Sequence, residues 1–417
     1  MRIVPQAAKR LLEFPETLML VRQPRPTTHD KGTDDAMTTI ELNTEGVLTE
    51  EMLDRTRAEL GVERPVTKQW HCEATLDTIR HWAYGVGDDN PLWADPDYAL
   101  TTKYGTNIAP PSFLYSTDQG PAHMKDEPSR GAGLPGIHAI WMGDRFRWHR
   151  PILRNTEIRV TKTLDSVEVR ENSRFAGITA DLSTLYRYYD GDNQLLAERW
   201  ASFMHFGRQK AASQNKHADL ERQVWTPDML KKLNDDLDTE CRRGGQDLVW
   251  NDVTVGDSIG LVVKGPLTAT EMISFVQGWG GPFLLASELL HRYLRNHPKA
   301  NVPDRYMCVP DTPERVHWDQ SFAKECGFPD GYDFGSQRIA WMLNAVTNWA
   351  GDSAFVKSLD ARLTALNIIG DATWCSGSVS GKSIADNGDR EIELKLTAVN
   401  QRGTTTALAT VVVVAPG

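Results

Sequence analysis

WADPDYA at residues 93–99 returns as HWDQSFA at residues 317–323, and this echo decides how the 417-residue chain is read. Both heptads have the form x-x-Asp-x-x-aromatic-Ala. Each is followed within a few residues by a glycine, as Tyr104-Gly105 and as Cys326-Gly327. Self-similarity in the same order signals one structural unit written twice. Asp95 and Asp319 stand just before a helical step, where a side-chain oxygen satisfies free backbone N–H groups, so both are expected to be helix caps.

The sequence downstream of each heptad repeats as well. Residues 146–169 and 178–206 alternate apolar and polar side chains and break at Asp190-Gly-Asp-Asn193, a hairpin signal. Residues 372–384, 391–400 and 404–415 do the same in the second half, with Asn400-Gln-Arg-Gly403 as the turn. Ahead of the strands, helices are expected over 108–115, opened by Pro110-Pro111, and over 336–349, opened by Gly335. A long helix wrapped by a curved antiparallel sheet, twice over, is an α+β layer architecture. The expected organisation is an extension over 1–45, a first unit over 46–210, a linker over 211–250 carrying a helix at 227–237, and a second unit over 251–417. Prolines at positions 5, 15, 24 and 26 forbid a continuous helix in the extension, which reads as loosely attached.

Bulk properties narrow the function classes. A formal net charge of −10 without a Lys/Arg-rich run argues against a nucleic-acid partner. No apolar run approaches the roughly 18 residues of a membrane helix, so a soluble, cytoplasmic protein is expected. Cys72, Cys241, Cys308, Cys326 and Cys375 show neither C-x-x-C nor metal spacing and read as reduced thiols.

The pattern Gly87-Asp88-Asp89-Asn90-Pro91-Leu92-x-x-Asp95-x-x-Tyr98-Ala99, then Ile108-Ala-Pro-Pro, resembles the MaoC-like hydratase/dehydratase motif. In that family Asp-x-Asn-Pro-x-His is followed by Asp-x-x-Tyr-Ala and then by Ile-x-His-Gly. GLPGIHAIWMGDRFRWHRP and VKGPLT…PERVHWDQSFA…GDATWCSGSVSGK resemble acyl dehydratases built from two fused MaoC-like halves. The resemblance implies a double hot-dog acting on acyl-CoA thioesters, with no cofactor beyond the coenzyme A of its substrate, and a homo-oligomer.

Hydrating a 2-enoyl thioester requires an activated water and a delivered proton, work for a His with an oriented carboxylate. It also requires an N–H at a helix start to hold the developing enolate oxygen. Transferred residue by residue, the resemblance gives the first half Asp88 and Asn90, but Trp93 at the His position and Pro111 at the Gly position. Trp is a hydrogen-bond donor only, and Pro has no N–H. The second half supplies both missing groups, His317 and Gly335, while Thr312 stands at the carboxylate position. Asp311, Glu314 and, across the interface, Asp88 remain alternatives for that carboxylate. Trp93 and Asn90 are expected to line an acyl groove, and Arg147 and Arg150, with Arg145, to meet coenzyme A phosphates. His138 is expected to bond a loop and His81 to lie at the surface. A hydratase or dehydratase is the leading reading. A hot-dog thioesterase and a non-catalytic acyl-CoA-binding or scaffold protein are the alternatives. The helix over 336–349 carries no Asp or Glu of the kind a thioesterase uses.

Overall fold

The structure, a computed structural model, describes residues 47–124, 134, 137–173, 177–207, 220–304 and 306–416. The expected extension over 1–45 and the front of the expected linker, 211–219, lie outside the described residues.

Among the described residues, ten strands form one antiparallel sheet: β1 (Glu63–Pro65), β2 (Ile137–Trp148), β3 (Arg159–Ser173), β4 (Gly177–Tyr189), β5 (Leu195–Gly207), β6 (Ser258–Lys264), β7 (Phe355–Leu363), β8 (Thr373–Ile384), β9 (Arg390–Asn400) and β10 (Thr405–Ala415). Their spatial order is β1-β3-β4-β5-β2-β7-β10-β9-β8-β6. Read outward from the centre, each half runs through the same sequence of strands. The two meet edge to edge where β2 pairs with β7, from Gly143 opposite Arg362 to Arg147 opposite Ser358. Pairing at this seam removes one exposed edge from each half, the usual aggregation hazard of a sheet.

The strands form where the alternation placed them. In β9, Ile392, Leu394, Leu396 and Ala398 are buried while their neighbours face outward, the period of two that fixes register. Both hairpin turns close through their own side chains. The Asp190 carboxylate accepts the N–H of Asp192 and Gln194, and the Asn400 amide oxygen accepts those of Arg402 and Thr404.

Helices α1 (Leu76–Val86) and α2 (Ala269–Trp279) occupy equivalent places in the two halves and pack on each other. Each opens on a threonine cap, Thr75 or Thr268, and closes on a left-handed glycine, Gly87 or Gly280. Gly85 and Gly278 hold the same position in each. A Cβ on Gly278 would lie 2.4 Å from the His81 carbonyl oxygen, and one on Gly85 3.0 Å from that of Ser274. The two backbones approach so closely that both glycines are needed.

Helix α3 (Gly335–Ala350) runs through the core of the second half and is buried on nearly every side. Its expected counterpart over 108–115 differs. The chain there makes only a six-residue 3-10 helix, Pro111–Ser116, so one of the two long helices anticipated from sequence is cut short. Pro110 and Pro111 supply no N–H groups, and the 3-10 form rarely extends beyond a turn or two. A helix occupies Pro227–Asp238, where the sequence placed one at 227–237. Asp95 and Asp319 are both N-caps, accepting N–H groups of Tyr98 and Phe322 respectively.

Candidate active site

His317 and Glu314 lie on one 3-10 turn, Pro313–His317. Side chains three apart eclipse in a 3-10 helix, so the two project from the same face. Beyond the short helix Gln320–Glu325, α3 starts at Gly335. All three residues line one cavity of about 470 Å³.

His317 Nδ1 lies 2.7 Å from the carbonyl oxygen of Tyr332, and its ring stacks on Phe334 with centroids 3.8 Å apart. A carbonyl can only accept, so Nδ1 carries the proton and Nε2 keeps a free lone pair. Burial lowers the imidazole pKa to about 4, which leaves the ring neutral at pH 7. Glu314 is buried without a hydrogen bond or ion pair among the described residues. That burial raises its carboxyl pKa to about 7.

The start of α3 is held rigidly. Arg338 pairs with Asp333, Nε to Oδ2 at 2.8 Å, and its Nη1 donates to the carbonyls of Ala365 and Thr406. Breaking such a buried pair costs about 3–5 kcal/mol, so the helix start keeps one position. The N–H groups of Gly335 and Ser336 find no acceptor among the described residues, as expected for the first turn of a helix. A Cβ on Gly335 would fall 2.7 Å from Trp141 Cγ and 2.9 Å from Leu363 Cδ1. Glycine is therefore required here for packing as well as for any ligand approach.

Both halves line the cavity. Strand β2 contributes Ala139 to Met142, β5 contributes Phe203 and Met204, and the end of β7 runs on into Thr364 to Leu366. The polar wall is made by Asp118, Gln119, Tyr186 and Arg199, all from the first half. Sequence reading singled out none of these four, because they come from a loop and two strands and share no motif.

The pseudo-equivalent place in the first half is a cavity of only about 50 Å³, lined by Asn90, Trp93, Pro111 and Arg150. Trp93 Nε1 donates to Asp88 Oδ2 at 3.0 Å, so the indole occupies the position an imidazole would take beside this carboxylate. The C-terminal turn of α3 also lines this cavity, through Thr347 and Ala350.

The other sequence candidates separate clearly. Asp311 lies off the cavity, its carboxylate capping the N–H of Thr312 and standing 4.0 Å from Arg315 Nη1. Asp88 is buried in the first half and lines neither cavity, so it does not reach across to His317. Arg147 is exposed on β2, and Arg150 pairs with Asp190 at 2.9 Å, so neither lies at the larger cavity. Arg145 stacks over Trp200. His81 is exposed, and His138 packs between Phe206 and Phe328. Among the described residues no cluster of His, Cys, Asp or Glu could hold a metal ion, and no helix is long and apolar enough to cross a membrane.

Against known proteins, residues 61–199 match the FAS1-like dehydratase domain region. A solved structure titled MaoC-like dehydratase superposes with a TM-score of 0.60 at 17% identity, over 87% of this chain and the whole of that one. The fold is a MaoC-like double hot-dog. A UPF0336 protein of Streptomyces avermitilis is 30% identical over 97 residues, 23% of this chain and 63% of its own length. A probable enoyl-CoA hydratase alpha subunit of Thermomonospora curvata is 27% identical over 135 residues, 29% of this chain and 42% of its own length. The family match covers the half of the double hot-dog that has Trp93, not the half that has His317.

Proposed function

We propose that the double hot-dog is an acyl-CoA hydratase or dehydratase, interconverting 2-enoyl and 3-hydroxyacyl thioesters, with its active site in the second half. The observation that carries this reading is the joint placement of a neutral His317 and the unpartnered N–H of Gly335 on one cavity. The first can take a proton, and the second can hold an oxyanion.

In the hydration direction, His317 Nε2 takes a proton from water as the water oxygen bonds to C3 of the enoyl group. The electron pair of the double bond moves through C2 onto the thioester oxygen, where the Gly335 N–H and the positive end of α3 stabilise it. Glu314, protonated at neutral pH in part because of its burial, gives its proton to C2. The carbonyl re-forms, and the proton held by His317 returns to Glu314, restoring both groups. Dehydration reverses each transfer. The chemistry draws on no cofactor besides the coenzyme A of the substrate.

Thioester hydrolysis is less well supported, since α3 carries no Asp or Glu along its length. The test is incubation with a panel of 2-enoyl-CoA thioesters, following loss of the conjugated absorbance. Loss of absorbance with the thioester retained supports hydration, whereas release of free coenzyme A from saturated and unsaturated substrates alike supports hydrolysis.

A further inference from the structure

The polar wall of the large cavity is incomplete. Asp118 Oδ2 accepts from the Tyr188 hydroxyl at 2.8 Å and lies 3.1 Å from Arg199 Nη2. Its Oδ1 has no partner among the described residues. Gln119 Nε2 is buried without a hydrogen bond, as are Nε and Nη1 of Arg199, whose side chain is only 3% exposed. A neighbouring carboxylate shows what a finished site looks like. Asp144 takes the Tyr115 hydroxyl on Oδ2 and the Trp141 indole N–H on Oδ1, at 3.2 Å for the latter. Asp144 belongs to the fold, while Asp118 and Gln119 hold capacity in reserve at a cavity wall.

An unused amide donor on Gln119 and a carboxylate with room for another donor on the adjacent Asp118, both lining the cavity, match one small neutral group, a hydroxyl, which accepts from an amide N–H and donates to a carboxylate oxygen. A carboxylate fits badly, because Arg199 already faces two carboxylates, with Asp144 Oδ2 at 3.8 Å from Nη1. A methyl group fits worse, since it would seal Gln119 and Asp118 away from water with nothing to bond. Trp141 lies against Gly335 on the thioester side and 5.6 Å from the Arg199 guanidinium. One indole thus separates the polar wall from the start of α3.

We infer that the cavity selects acyl groups that carry a hydroxyl away from the thioester, bound by Asp118 and Gln119 beside Arg199. The inference rests on the proposed acyl-CoA reading of the cavity and names the acyl class it takes. A site built to bond a substrate hydroxyl discriminates strongly against the analogue lacking it, because its polar groups are then left unpaired.

The experiment compares medium-chain 2-enoyl-CoAs ending in a methyl group with counterparts ending in a hydroxyl, by kcat/KM, in the full chain. Calorimetry with the corresponding saturated acyl-CoAs reads binding without turnover. The wild type is expected to favour the hydroxylated member by about tenfold or more, the ratio that one hydrogen bond of roughly 1.4 kcal/mol supports. Gln119→Leu removes no bond that amide now makes, so it should fold normally, and the ratio of hydroxylated to methyl-ended substrate should fall towards one. Asp118→Asn should weaken the preference as well. A ratio near one in the wild type, or an unchanged ratio in both variants, overturns the inference. A preference seen by calorimetry and lost in Gln119→Leu, without turnover of any substrate, would sink the hydratase reading and leave this inference standing.

Discussion

The two halves of the double hot-dog put the same backbone to different use. In the first, Asp88 is paired with Trp93, the chain at the helix start is Pro111, and about 50 Å³ of space remains. In the second, Thr312 replaces the carboxylate, His317 replaces the indole, Gly335 opens the helix, and the cavity measures about 470 Å³. Helix length differs between the halves as well. The C-terminal turn of α3 lines the small first-half cavity through Thr347 and Ala350, whereas the first half offers only the six-residue 3-10 helix Pro111–Ser116. Each half lacks what its partner keeps, and sequence similarity to the dehydratase region follows the half without the histidine.

Gly335→Ala should weaken this contrast most. The added Cβ would press on Trp141 and Leu363, displacing the helix start and its N–H groups. A loss of about 100- to 1,000-fold in kcat is expected, with about 1–3 kcal/mol of stability. Unchanged turnover would place the oxyanion elsewhere.

Glu314→Gln comes next, with an expected loss on the order of 100-fold in kcat at similar KM. The pH profile sharpens the test. Activity of the wild type should rise as His317 loses its proton near pH 4 and fall as Glu314 ionises near pH 7. The variant should lose the alkaline limb. Stability has a matching signature. Folded Glu314 holds its proton up to about pH 7 against an ordinary value of 4.5, so its contribution is present at low pH and is lost as pH rises through that window. Glu314→Gln should remove this decline in chemical denaturation. Asp311→Asn, by contrast, should leave rate and profile alone, and an effect equal to that of Glu314→Gln would reopen the choice between them.

The smallest effect belongs to the first half. Trp93→Phe leaves the buried Asp88 carboxylate without its indole partner, which costs about 1–3 kcal/mol of stability, read by thermal or denaturant melts. Turnover should not change. A fall in kcat at full folding would mean that the first half takes part in the chemistry.

Much of the fold was legible because its signals are local. The alternating strands, the Asp190 and Asn400 turns and the two aspartate caps each depend on a few adjacent residues. The short first helix was not, since Pro110-Pro111 marks a start and says little about where the helix stops. The repeated cap-and-glycine framing of α1 and α2 stood in the sequence, but its meaning lies in the contact between Gly85 and Gly278. At the site, His317 and Gly335 were reachable through motif position. Sequence left Asp311, Glu314 and Asp88 as equals, and only the 3-10 turn, which aligns residues three apart, brings Glu314 to the cavity with His317. Asp118 and Arg199 were beyond reach, because tertiary packing alone brings a loop and a strand to that wall.

The central claim, that the second half does the chemistry, is tested most directly by assaying His317→Ala and Asp88→Asn side by side on one good 2-enoyl-CoA substrate. Loss of the conjugated absorbance is the readout, with melting curves to confirm folding. His317→Ala should lose about 100- to 10,000-fold in kcat while Asp88→Asn retains turnover. Full activity in His317→Ala together with collapse in Asp88→Asn would contradict the account and move the active site to the first half.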